Sequence, residues 1–179
     1  MRLFAVLCLF ALTALPAAAR PLDRAEMRGL QEALDAYSDA LTSGDATALT
    51  GSLPPRLMRF HARSAGLSAE ELADAMVQQT RAMMAGTRFG ALRADPAGAN
   101  AADTTLQDGT RVTWAILPAS FEMAQGGKRS RISQPVLALR DGRAWYLIRI
   151  DAGQQAVLAT VYPFLADVAL PAASIEPLN

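Results

Sequence analysis

Cysteine and histidine are almost missing from this 179-residue sequence, each occurring once, as Cys8 and His61. A single cysteine closes no internal disulfide, and a single histidine leaves no Cys/His cluster of the kind that holds structural zinc. Net charge is missing too, with 17 Lys and Arg against 17 Asp and Glu. Nucleic acid and anionic lipid both need a basic surface to replace released counterions, so neither is an expected partner. There is no catalytic or metal signature, no residue pattern that implies a cofactor, and no internal repeat. The one tract of low complexity is a small-residue loop from Ala94 to Ala102.

What is present first is an apolar run from Leu3 to Leu15, preceded by Arg2, broken by Pro16 and followed by Ala17, Ala18 and Ala19. This is the order of a cleavable secretory signal peptide, with Arg20 as the first mature residue. The run is shorter than the ~20 residues that cross a bilayer, so no membrane anchor is expected after cleavage. Removal of residues 1–19 takes Cys8 and Arg2 away, leaving 16 Lys and Arg against 17 acids. The expected product is a nearly neutral, disulfide-free protein, periplasmic or secreted. Burial must hold it together, and a chain near 150 residues buries about 70% of its unfolded surface.

The mature chain is expected as one domain over residues 20–167, with a surface tail at 168–179 marked by Pro171 and Pro177. It divides near Gly86 into a helical half and a strand half, which implies α+β. Asp23 and Glu26 form a capping box, flanked by the staple pair Leu22 and Met27. Met27, Leu30, Leu34, Tyr37 and Leu41 then share one helical face, and Gly44 ends it. Asp45 caps a short helix, and Pro54-Pro55 opens another that turns Leu57 and Phe60 inward. Ser68 and Glu71 repeat the box for a third long helix, staple Leu67 with Leu72, whose inner face is Leu72, Met76, Gln79 and Met83.

From Arg88 onward the apolar spacing is that of strands, punctuated at Asp108-Gly109, Gly126-Gly127 and Asp141-Gly142. A loop at Gly126-Gly127 sets Glu122 opposite Arg131, Phe121 opposite Ile132, Ile116 opposite Leu137 and Trp114 opposite Leu139. A loop at Asp141-Gly142 sets Tyr146 opposite Leu137 and Trp145 opposite Ala138. One sheet face then gathers Trp114, Ile116, Leu137, Leu139, Tyr146, Ile148 and Ile150, expected against the helices. The other gathers Thr113, Ala115, Leu117, Val136, Ala138, Trp145, Leu147 and Arg149, too apolar for water. Pro118 falls opposite Pro135, where neither can donate to the ladder, so the sheet should bend or bulge into strong curvature. Residues 153–165 suit a short helix or a strand.

A capped first helix ending in Ser43-Gly44-Asp45, a proline-led short helix, a further helix and a meander closing on "LALRDGRAWYLIRID" together resemble the NTF2-like (cystatin-like α+β) superfamily. Secreted bacterial members look similar over most of the mature length. The resemblance implies a cone-like fold, with helices closing one mouth of a bent sheet around an apolar pocket. Some members are isomerases or dehydratases; others bind ligands or partners without chemistry. Their catalytic residues have no transferable motif, so none is assigned here.

Tyr37, Trp114 and Tyr146 suit the wall of an apolar pocket needing a few hydrogen bonds, and equally suit plain core packing. Leu117, Val136, Trp145 and Leu147 lie on the second sheet face and are the expected homodimer surface, since a monomer would leave that face bare. His61 sits beside Arg59 and Arg63 in a polar stretch and reads as a surface residue rather than an acid or base. Glu122 and Arg131 read as a cross-strand ion pair. Asp103 and Asp151 are the acids at strand ends that could reach a cone's mouth. Met76, Met83 and Met84 suit an adaptable binding surface; helical spacing puts Met76 and Met83 in the core and turns Met84 away from it. The leading expectation is an exported, non-catalytic domain binding a small apolar molecule or a protein partner. An isomerase or lyase with an apolar pocket, and an interaction module working through its sheet face, are the alternatives.

Overall fold

A computed structural model describes residues 19–150 and 153–179. The expected export signal, apart from Ala19, and Asp151 lie outside the described residues.

The chain enters through a two-residue strand, β1 (Arg20–Pro21), and then α1 (Arg24–Ser43). The capping box forms: Asp23 accepts from the amides of Ala25 and Glu26 at 2.8 Å each, and Glu26 accepts from the Asp23 amide at 3.0 Å. These bonds satisfy first-turn N–H groups that the helix itself leaves unpaired. Gly44 closes α1 with φ 75°, a left-handed conformation that glycine adopts without steric cost. Then come α2 (Ala46–Gly51), capped by Asp45, α3 (Pro55–Ala65), opened by its proline, and α4 (Ala69–Met84), with the Ser68 and Glu71 box.

The strands follow: β2 (Thr87–Phe89), β3 (Arg93–Ala94), β4 (Asn100–Thr105), β5 (Arg111–Leu117), β6 (Ala119–Gln125), β7 (Lys128–Ser133), β8 (Val136–Asp141) and β9 (Ala144–Arg149). After these come α5 (Gln155–Val161), a 3₁₀ turn at Pro163–Leu165 and β10 (Ser174–Leu178). The fold is α+β, with two antiparallel sheets ordered β1-β4-β5-β8-β9 and β10-β7-β6-β2, β3 also pairing with β6. Part of the expected surface tail is thus an edge strand, although its side chains stay exposed, Ile175 at 68%.

The Gly126-Gly127 register is as expected, with Glu122 opposite Arg131 and Trp114 opposite Leu139. It continues unbroken across Pro118 and Pro135, yet the ladder divides there into two sheets, neither strongly curled. Two prolines at one rung remove a donor from each strand, and the adjacent bond, Gln134 N to Ala119 O at 2.9 Å, carries the chain across the break. The second hairpin differs from expectation. Gly142 alone in its loop has positive φ (68°), the pattern of a II′ turn with glycine first. The loop is therefore Gly142-Arg143, and Tyr146 faces Leu139 while Trp145 faces Arg140. A slide of two residues keeps every side chain on its own face.

The two faces exchange roles relative to expectation. α1 lies on the face carrying Ala115, Leu117, Val136, Ala138, Trp145 and Leu147, and Phe121 and Ile132 of the second sheet continue that core. The face with Leu137, Leu139 and Ile148 is covered by Leu158, Tyr162 and Leu165 from α5 and the 3₁₀ turn, together with Leu57 of α3. Leu117, Val136, Trp145 and Leu147 are thus buried inside the chain, at 1%, 1%, 9% and 2% exposure, and are not a dimer surface. Both faces are apolar because both are internal.

Candidate functional site

α1 packs on β9 and α2, while α4 packs mainly on α2 and α3 and touches the second sheet only at its edge strand β2. Between α4 and the strands this leaves a cavity of about 450 Å³. That volume lies within the range of small-molecule sites. Its wall comes from α1, α2 and α4 together with β2, β6 and β9, so both sheets and three helices contribute.

Most of the wall is apolar, with Leu41, Leu53, Phe89 and Leu147 joined by methionines. Here α4 departs from expectation. Met83 is 58% exposed, Leu72 and Met76 are half-buried, and Met84, expected to point away, packs on the main core. The side of α4 that spacing marks as inward faces an open space, so Met76 and Met83 line the cavity, while Met84 lines it and also packs on the main core.

Three polar groups stand out in this wall. Tyr37, on the buried stripe of α1, is 9% exposed, and burial pushes its hydroxyl pKa up against the opposing charge of Arg149. Arg149 follows Trp145 and Leu147 at two-residue spacing on β9, which turns it to the inner face, half-buried at the strand's end. Thr50 is 7% exposed, and its Oγ1 has no hydrogen-bond partner. Neither Arg149 nor Thr50 was singled out from sequence. Strand alternation already sets Arg149 on that face, as the one charge in its row, but gives it no role.

Trp114 and Tyr146 do not join Tyr37. They lie across the sheet, where Trp114 stacks on Phe164 with centroids 5.3 Å apart and donates from Nε1 to Thr104 at 3.4 Å. A smaller hollow of about 390 Å³ beside Phe164 and Arg56 belongs to that side. A third hollow, about 690 Å³, is walled only by α2, α3 and α4 and the residues flanking them, and mixes Met58 and Val77 with Asp74, Arg59 and Arg81.

The buried carboxylate is elsewhere. Glu26, 5% exposed, is held by Arg20 and Arg140, and the Arg20 hydrogen bonds keep its carboxyl below the usual range despite burial. Asp103 is likewise bound to Arg20, and it accepts from Thr113 at 2.7 Å. Glu122 pairs with Arg129 at 2.7 Å and more loosely with Arg131 at 3.7 Å. His61 is a half-buried residue of α3 lying edge-on to Phe60. Among the described residues no group of three His, Cys, Asp or Glu could hold a metal, and no helix is long and apolar enough to cross a membrane. Compared with family models, curated proteins and solved structures, the chain matches none.

Proposed function

We propose that this chain is an exported, non-catalytic binding domain of the NTF2-like kind, whose helices and two sheets together make a cone-like enclosure for a small apolar molecule. The observation that carries this reading is the cavity walled by both sheets and three helices, whose four methionines, phenylalanine and leucines stand among threonines, glutamines and Arg149. Methionine is unbranched and polarisable, so such a wall adapts to ligand shape. An isomerase or lyase would want a carboxylate among the aromatics, and the described lining residues include none. A module acting through the apolar faces of the first sheet lacks the surface, because both are covered within the chain.

The test is fluorescence titration of the mature protein with N-phenyl-1-naphthylamine, a neutral apolar dye. Saturable enhancement at micromolar dye is expected. Thr80→Trp, on the cavity side of α4, fills the space and should abolish the enhancement while leaving thermal stability near that of the parent. Absence of saturable binding by the parent protein would end the reading.

A further inference from the structure

Among the described residues the cavity wall carries one charge, and that charge is positive. Arg149 is the only charged side chain among the described residues that line it, and no described carboxylate forms an ion pair with Arg149. Several other guanidiniums are engaged by acids, Arg20 and Arg140 on Glu26, Arg56 on Asp108, Arg129 and Arg131 on Glu122. A guanidinium half withdrawn from water beside an apolar wall loses hydration that an anion would restore, and its planar fork matches a carboxylate with two parallel bonds. Thr50 adds a second observation. It lines this cavity and the hollow among α2, α3 and α4, and its buried hydroxyl has no partner among the described residues, a donor left unsatisfied beside the cavity.

We infer that the ligand is an amphipathic acid, its carboxylate held by Arg149 and its apolar body lying among Met76, Met84, Met123 and Phe89. This rests on the cavity being a ligand site, as proposed above, and adds the chemistry of the ligand's head. At ~30 Å³ for each water-sized group, the cavity takes on the order of fifteen groups, which suits a fatty acid of medium chain length.

The experiment is displacement of N-phenyl-1-naphthylamine from the mature protein by decanoate and, separately, by 1-decanol, which has the same body and no charge. The readout is the ratio of the two competing concentrations, taken for the parent, Arg149→Gln and Arg149→Lys, with thermal unfolding of each. Decanoate should compete about tenfold better than decanol in the parent, the factor expected of a charge-assisted hydrogen bond. The ratio should fall to near one in Arg149→Gln and recover in part in Arg149→Lys. Equal competition by acid and alcohol in the parent, or an acid preference that survives Arg149→Gln, would overturn the inference while leaving the ligand site standing. No dye binding by the parent would remove the site itself, and the inference with it.

Discussion

Arg20 clasps Glu26 with two parallel hydrogen bonds, Nη1 to Oε2 at 2.7 Å and Nη2 to Oε1 at 2.8 Å. The same guanidinium reaches Asp103 through Nε at 2.6 Å and Nη2 at 2.9 Å, so one side chain ties the start of α1 to β4. Glu26 serves twice, as the reciprocal member of the capping box and as the buried end of this pair. The residue placed by sequence at the edge of a signal-peptidase site is therefore a structural residue of the folded domain.

Removing Arg20 leaves the Glu26 carboxylate buried with Arg140 alone, at 3.3 Å. Arg20→Ala should cost about 1–3 kcal/mol, and for a domain of this size lower Tm by roughly 3–10 °C. Arg140→Ala should cost less, since its contact is single and longer. Thermal unfolding by circular dichroism separates them, and an equal or larger loss for Arg140→Ala would contradict the arrangement.

Acid should weaken the fold through the same residues. Arg20 hydrogen bonds lower the pKa of both Glu26 and Asp103 in the folded state. Their stabilisation is complete above the ordinary carboxylate values, about 4.3 for Glu and 3.9 for Asp. It is lost as pH falls from there through the lowered folded values, because the unfolded chain takes up protons first. Urea unfolding between pH 6 and pH 3 should show stability falling below about pH 4.5, with a shallower fall in Arg20→Ala. Identical slopes would assign the acid sensitivity to other groups.

The local signals were legible. Asp23 with Glu26 and Ser68 with Glu71 each place a helix start from four residues of sequence, because capping is a contact between near neighbours. The faces of the sheet survived even where the Gly142 turn moved the register, because only an odd slip exchanges faces. What covers each face was not legible. Trp114 and Trp145 stand on equally apolar faces, and periodicity does not say which is met by α1 and which by α5. The inward spacing of α4 was real, but a cavity wall and a core wall have the same period. Arg20 and Glu26 are close in sequence, whereas their third partner, Asp103, is brought in only by the pairing of β1 with β4.

Gly29 makes the contact that closes α1 over the sheet. A Cβ at Gly29 would stand 3.1 Å from Trp145 Cδ1 and 3.3 Å from Nε1. Gly29→Ala gains about 1 kcal/mol in helix propensity against an overpacking cost of about 1–3 kcal/mol. A net loss of stability is expected. A clear rise in Tm would mean that Trp145 yields without cost.

Trp145→Glu tests the internal placement of the sheet face more harshly. A carboxylate beneath α1 should cost more than about 3 kcal/mol and leave the chain largely unfolded. A well-folded variant with an altered oligomeric state by light scattering would return the face to the surface.

Binding of an amphipathic acid in the cavity beneath α4 would be reported directly by methionine methyl groups. Met76, Met83, Met84 and Met123 line the cavity, Met27 belongs to the core at α1, and Met58 lines the neighbouring groove among the helices, which shares Thr50 and Leu53 with the cavity. In methyl-labelled mature protein titrated with decanoate, nuclear magnetic resonance should show saturable shifts at Met76, Met84 and Met123 and little change at Met27 and Met58. Shifts confined to Met58, or no saturable shift at any methionine, would contradict the account.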